Sequence, residues 1–470
     1  MNARLSRSLR VAALLAATLA AGCAMVGPDY RRPDMALPGA FTPGSDSATA
    51  AVSGAWWRLY GDETLNELVA SALARNADLQ LAAARIEETD ANLREIDAAF
   101  LPQLDLAGAA SRSRVTTRGA TPLPPGTAPV RNNVRITAQT AFELDFWGRL
   151  RRAVEAARAT ALGTRYARDV VTLSLAGLTA QAYFSLRSLD AQIAVTRESL
   201  ASRAETLEVV RNRAAGGIAS DLEVSQTEVA HADASALLKE LHRQRHLVEH
   251  QLSTLTGRLD LTLPADDLMR LPIPPLPPPG LPSALLERRP DIAQAEQQMI
   301  AANAAIGVAR AAMLPSISLT GSYGAESRAL AMLLENGSRI WSLGFGLSLP
   351  IFDWGRLSAR ADAAEARERQ SLANYQRAIE SAFREVADAL TNIQQTTASE
   401  KDVQVRATAA RNALRLARLR YEAGYSGYLE VLDAQRTANE AALAVVRNRQ
   451  TRLSASVDLM KALGGGWTKE

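Results

Sequence analysis

The sequence predicts a membrane α+β chain made of two copies of one structural unit. Three observations carry this: an internal duplication, short strands with one apolar face, and proline-free stretches too long for a compact domain.

The duplication comes first. Residues 142–150, ending Trp147-Gly148-Arg149-Leu150, correspond to 349–357, ending Trp354-Gly355-Arg356-Leu357, at an offset of 207 residues. At the same offset, Gly217 with Leu222-Glu223-Val224 corresponds to Gly424 with Leu429-Glu430-Val431. Upstream, Phe100-Leu101-Pro102 corresponds to Met313-Leu314-Pro315 at an offset of 213 residues, and the difference falls in intervening loops, where insertions are tolerated. Each copy reads as a helix (about 77–99, then 290–312), two strands, and two long helices joined by a Gly-containing turn.

The strands are legible as period-two alternation. Trp341, Leu343, Phe345, Leu347 and Leu349 face one way, and Ser342, Gly344, Gly346 and Ser348 the other. Ile317, Leu319, Gly321 and Tyr323 alternate with Ser316, Ser318, Thr320 and Ser322. In the first copy Val134, Ile136, Ala138 and Phe142 oppose Arg135, Thr137, Gln139 and Ala141, and Leu104 and Leu106 oppose Gln103 and Asp105. Loops are expected at 112–133 and 324–340. Pattern alone fits a soluble sheet packed on helices as well as a barrel. Four strands cannot close in lipid, where an open edge leaves backbone groups unpaired at several kcal/mol each. Eight strands from two chains would be largely filled by side chains, whereas twelve from three chains leave an opening.

No proline interrupts residues 130–263, or any residue after Pro350, so no helix there is broken by one. Residues 150–214 and 356–422 each read as one helix of about 100 Å at about 1.5 Å rise per residue. Leu186, Leu189, Ile193, Thr196, Leu200, Arg203, Leu207 and Val210 step by three and four, as do Leu238, Leu241, Arg245, Val248, Leu252 and Leu255. Such spacing marks coiled-coil packing.

The N-terminus reads as an export signal. Arg4, Arg7 and Arg10 precede a short apolar run, and Leu19-Ala20-Ala21-Gly22-Cys23 resembles a bacterial lipobox, which implies lipid on Cys23 and, with Ala24 next, outer-membrane sorting. Cys23 is the only cysteine, so an intrachain disulfide is excluded. The net charge of +3 is matched by those three arginines, leaving no basic excess for nucleic acid. No stretch of the mature chain is apolar enough for a membrane helix, so any spanning must be done by strands. No nucleotide-binding loop, nucleophile elbow or metal-hydrolase motif is present, and no cofactor is expected. His242, His246 and His250 recur every four residues on one helix and read as a solvated or interhelical face rather than a metal site.

Together with Met25-Val-Gly-Pro28-Asp-Tyr30, Trp56-Trp57, Arg288-Arg-Pro-Asp291, the run from Arg420-Tyr421 to Asp433-Ala434-Gln435, and the C-terminal Lys461 to Trp467, these features resemble the TolC-type outer-membrane efflux factors, in their lipoprotein branch. The resemblance implies a homotrimer with a twelve-stranded outer-membrane β-barrel, four strands per chain, continued by a twelve-helix periplasmic α-barrel. It implies a passive duct for drugs or other small toxic compounds, a periplasmic adaptor, and an inner-membrane transporter of the RND type. It also implies a periplasmic gate at Arg420, Tyr421, Leu429 and Asp433, and adaptor-contacting tip turns at Gly216, Gly217, Gly424 and Gly427. The expected organisation is a signal peptide at 1–22, a lipidated extended segment at 23–60, the first repeat at 61–263, a Pro-rich linker at 264–282, the second repeat at 283–463 and a tail at 464–470. A type I secretion duct of the same fold, and a lipid-anchored envelope coiled-coil scaffold without a pore, remain as alternatives.

Overall fold

The structure is a computed structural model that describes residues 25–35, 37, 54–120, 123–124, 126–275 and 285–468. Cys23, the signal segment and part of the Pro-rich linker lie outside the described residues. In chain order the main elements are α1 (Glu63–Arg75), α2 (Ala77–Ala98), β1 (Gln103–Arg114), β2 (Val130–Leu144), α3 (Arg149–Ala215), α4 (Asp221–Thr256), α5 (Pro290–Ala311), β3 (Ser316–Ser327), β4 (Arg339–Ser348), α6 (Arg356–Glu422) and α7 (Tyr428–Ala462). Helices α3 and α6 have 67 residues each. Their boundaries fall within a residue or two of the sequence expectation. A 3-10 turn at Trp56–Tyr60 stands where the sequence suggested extended chain, and α1 follows it. The Asp62 carboxylate begins α1 by accepting from Leu65 N–H at 2.8 Å.

The chain forms two compact units, and each draws on both sequence repeats. One takes Met1–Pro33, Ile86–Thr164 and Ala295–Tyr375; the other takes Asp34–Arg85, Arg165–Gln294 and Gln376–Glu470.

The first unit holds an antiparallel sheet of order β1-β2-β3-β4. The strands run further than expected and claim 112–114, 130–133, 324–327 and 339–340 from the loops. Those ends carry Arg, Ser, Asn and Gly, whose polarity hides the alternation while the backbone ladder continues. Beside the sheet, the segment 25–33 is tied to helices α3 and α5. The buried Arg152 guanidinium donates to Asp29 Oδ1 at 2.7 Å and to Glu155 Oε2 at 2.8 Å. Arg32 grips the buried Glu296 carboxylate with two hydrogen bonds, at 2.6 and 2.8 Å. Gly27 lies so close to α5 that a Cβ there would come within 2.6 Å of Gly307 Cα.

The second unit holds the main apolar core. Trp56, Tyr60, Leu65 and Leu68 pack with Tyr183, Phe184, Leu186, Leu252, Leu453, Val457 and Met460. The Tyr60 hydroxyl lies 2.6 Å from Ser456 Oγ, which satisfies two buried polar atoms at once. The heptad positions Leu189, Ile193 and Leu241 form a second cluster. Arg203 and Arg245 occupy heptad sites and are not solvated charges: they donate to the Ala230 carbonyl at 2.5 Å and the Leu263 carbonyl at 2.6 Å. The C-terminal Trp467 stacks edge-on against Tyr166 at 5.5 Å and donates to Asp169 Oδ2 at 3.0 Å.

Glu249 anchors the chain after α4. Burial works against its charge, but the Leu263 N–H at 2.9 Å, Arg245 at 3.2 Å and His246 outweigh burial and hold the carboxyl below the ordinary glutamate range. A carboxyl depressed in this way contributes stability that is complete above its unfolded pKa and is lost as pH falls through the folded one. Glu249→Gln is therefore expected to flatten the acid limb of a melting-temperature-versus-pH curve. An unchanged acid limb would show that other carboxylates govern it.

Candidate functional site

Two sets of residues carry the chemistry, one in each unit. The first is the sheet. On one face Leu106, Leu343, Phe345 and Leu347 are exposed, with Leu343 at 82% and Trp341 at 72%. A soluble sheet buries such a face. The opposite face is small and polar, and Ser322 Oγ and Ser342 Oγ lie 2.8 Å apart across β3 and β4. Strands β1 and β4 each pair on one side only, leaving two open edges. Among the described residues no helix is long and apolar enough to cross a membrane.

The second set lies at the hairpin turns. Gly217 (φ 76°) and Gly424 (φ 79°) take the left-handed conformation that ends α3 and α6. Ile218 N–H returns to the Arg213 carbonyl, and Tyr425 N–H to the Arg420 carbonyl, both at 2.8 Å. Gly216 and Gly427 do not use this freedom. Gly216 sits at the helix end with its N–H on the Asn212 carbonyl, and Gly427 is the N-cap of α7 at φ −73°. Helix α4 starts with a reciprocal cap between Ser220 and Glu223. Ile218, Leu222, Tyr425 and Leu429 leave the turn region with exposed apolar side chains.

The four residues implied as a gate separate into two settings. Leu429 and Asp433 line a groove of about 570 Å³ together with Leu432, Arg436, Val229 and Asp233. Asp433 Oδ1 accepts from Arg436 at 2.9 Å, and Arg436 also approaches Glu440 at 3.5 Å. Arg420 lies outside the groove and pairs across the turn with Glu430 at 3.1 Å. Tyr421 has the Arg213 guanidinium over its ring at 5.0 Å and meets the Tyr428 ring edge-on at 5.4 Å, which joins the ends of α3, α6 and α7. Burial raises the Tyr421 hydroxyl above its ordinary pKa despite the lowering effect of Arg213. Sequence reasoning missed Glu430, Arg436 and the Arg213–Tyr421 stack. The i, i+3 spacing of Asp433 and Arg436 was the available signal. On α4, His246 Nδ1 lies 3.4 Å from Glu249 Oε2. Among the described residues no group of three or more His, Cys, Asp or Glu is placed to hold a metal ion.

An open-edged antiparallel sheet with an exposed apolar face, in a chain with 67-residue helices, defines a subunit of an outer-membrane channel. The family model described as outer membrane efflux protein matches residues 68–258 and 281–465. The toluene efflux pump outer membrane protein TtgC of Pseudomonas putida is 33% identical over 469 residues, covering 96% of this chain and 94% of that one. The cation efflux system protein CusC of Escherichia coli is 33% identical over 457 residues, covering 95% and 96%. Among solved structures, the CmeC outer membrane channel of Campylobacter jejuni superposes with a TM-score of 0.87 at 25% identity, covering 95% and 96%. The chain belongs to the outer membrane efflux protein family. Its fold is that of the TolC-like trimeric channels, with four strands per chain beside long helices, and it acts in the outer membrane as an efflux channel.

Proposed function

We propose that three copies of this chain close one barrel, and that the result is a passive duct completing an efflux route begun by a periplasmic adaptor and an inner-membrane transporter of the RND type. The observation that carries this reading is the sheet: apolar on one face, small and polar on the other, and open at both edges. In lipid those edges need partners of the same register, and further copies of the chain supply them. Lipid on Cys23 adds a membrane anchor. The exposed Ile218, Leu222 and Tyr425, next to the turns at Gly216, Gly217, Gly424 and Gly427, offer the adaptor an apolar surface on two similar hairpins.

The cargo is a small toxic compound, drugs included. Relatives named for toluene and for cations resemble this chain over almost their whole length. Such breadth suits a wide conduit whose selectivity resides in the pump.

Arg420, Tyr421, Leu429 and Asp433 form the periplasmic gate. Three symmetry-related Asp433 side chains make an acidic ring, which favours cations; within each hairpin Arg420 pairs with Glu430 and Asp433 with Arg436. Purified protein is expected to run as heat-modifiable trimers and to conduct weakly in planar bilayers. Asp433→Ala is expected to raise that conductance severalfold. An unchanged value removes Asp433 from the gate, and a water-soluble monomer removes the channel.

A further inference from the structure

Trp147 and Trp354 occupy equivalent positions in the duplication but have different surroundings. After β2, the Trp147 indole N–H donates to the Pro315 carbonyl at 2.8 Å, and the ring is half-buried. After β4, Trp354 is 89% exposed, beside Phe352 and a 91% exposed Ile351. Trp354 is also the one non-glycine residue among the described residues with positive φ, at 59°. A bulky residue in that region is strained and persists where its surroundings hold it there.

The counterpart of the acceptor is present. Pro102 precedes β1 as Pro315 precedes β3, and the two approaches are bonded alike. Phe100 and Leu101 N–H donate to the carbonyls of Asp97 and Ala98; Met313 and Leu314 N–H donate to those of Arg310 and Ala311. Pro102 is exposed, whereas Pro315 is half-buried.

The duplication also fixes a register. Moving the pair Gln103↔Ala141 by 213 and 207 residues lands on Ser316↔Ser348, which is the observed pairing of β3 with β4. The two hairpins therefore share one register. Applying the same offsets to the observed β2–β3 pairs Ala141↔Thr320 and Phe142↔Leu319 gives Ser348 opposite Ala107 and Leu349 opposite Leu106. Those are pairs between β4 and β1, the two open edges of the sheet.

We propose that the β2–β3 junction within one chain repeats between chains: β4 pairs antiparallel with β1 of a second copy, Ser348 opposite Ala107 of the partner subunit, and the Trp354 indole N–H donates to the carbonyl of Pro102 of the partner subunit. This rests on the shared-barrel reading and specifies its seam. The register satisfies a condition that did not enter its derivation. It sets Leu349 beside Leu106, Leu347 beside Gly108 and Phe345 beside Ala110 on the apolar face, and a slip of one residue would turn Leu106 toward the polar face. The partner contact also gives the strained Trp354 the fixed setting that Trp147 already has.

The test is oxidative cross-linking of the full-length protein in outer membranes. Ser348→Cys with Ala107→Cys is expected to give intersubunit disulfides severalfold above either single variant, and the single variants account for Cys23. Ser348→Cys with Asp105→Cys or with Ala109→Cys is expected to stay at background. Residues directly opposite lie about 4.5–5.5 Å apart between Cα atoms, and a two-residue offset exceeds the disulfide limit of about 7 Å. Trp354→Phe, which keeps a ring but loses the N–H, is expected to lower the temperature at which trimers dissociate, and Trp354→Ala to lower it further. Cross-linking through an offset pair, or none in intact trimers, overturns the seam while leaving the shared barrel standing. Absence of trimers altogether overturns the barrel and the seam with it. Trimers as heat-resistant in both Trp354 variants as in the parent overturn the lock and make Trp354 a residue of the membrane interface.

Discussion

Asp190→Ala is expected to destabilise the folded chain by about 3–5 kcal/mol, the cost of removing one partner from a buried ion-pair network. The Asp190 and Arg187 side chains are 2% and 3% exposed. Asp190 receives Arg245 Nε at 2.7 Å and Arg187 Nη1 at 3.2 Å, and Glu249 is a second carboxylate on Arg245, also at 3.2 Å. Both arginines also reach backbone carbonyls, Arg187 at Pro264 (2.6 Å) and Arg245 at Leu263 (2.6 Å), so they are held in place when the carboxylate is gone. The variant would take away the carboxylate that the buried Arg187 pairs with and leave Arg245 with Glu249. Denaturant or thermal unfolding in detergent reads the loss. Asp190→Asn keeps the hydrogen-bond acceptor without the charge and is expected to fall between parent and alanine variant. A loss below about 1 kcal/mol would mean that solvent reaches the site and screens the pair.

Gly324→Val is expected to cost about 3 kcal/mol or more through overpacking, and to abolish trimers on a detergent gel. Gly324 pairs with Thr137 across β2 and β3. A Cβ on Gly324 would collide with the Ile136 carbonyl oxygen and would come within 2.7 Å of Thr137 Cα. The obstacles include backbone atoms, so a rotamer change cannot relieve them. The missing side chain is the space in which Thr137 sits, and Thr137 is 1% exposed on an otherwise open sheet. Trimers of normal heat resistance from Gly324→Val would show that the ladder bends there without cost.

The fold was legible where one simple period ruled. The β4 alternation from Trp341 to Leu349 and the steps from Leu186 to Val210 each reflect one face against one surroundings, and the structure follows them. It was less legible where polar residues do structural work. The strand ends near Arg112 and Asn132 continue the ladder through backbone bonds alone. Arg187, Asp190, Arg245 and Glu249 look like helix-surface charges in one dimension, since their spacing within each helix is three or four. Only the return of the segment at Leu263 and Pro264 turns them into a buried cluster. The gate residues entered by resemblance; the helical spacing of Asp433 and Arg436 was a signal for that pair, whereas Glu430 lay in plain sequence view without a pattern that marked it.

The aromatic core around Trp56 and Tyr60 takes its opposite wall from Val446, Leu453, Val457 and Met460, near the other end of the chain. During synthesis that wall arrives last. Nearly four hundred residues must leave the ribosome before the earliest of these rings can be covered. Until then the polypeptide leaves Trp56, Tyr60 and Phe184 without that wall, and uncovered apolar surface of this kind makes an incomplete chain prone to aggregation.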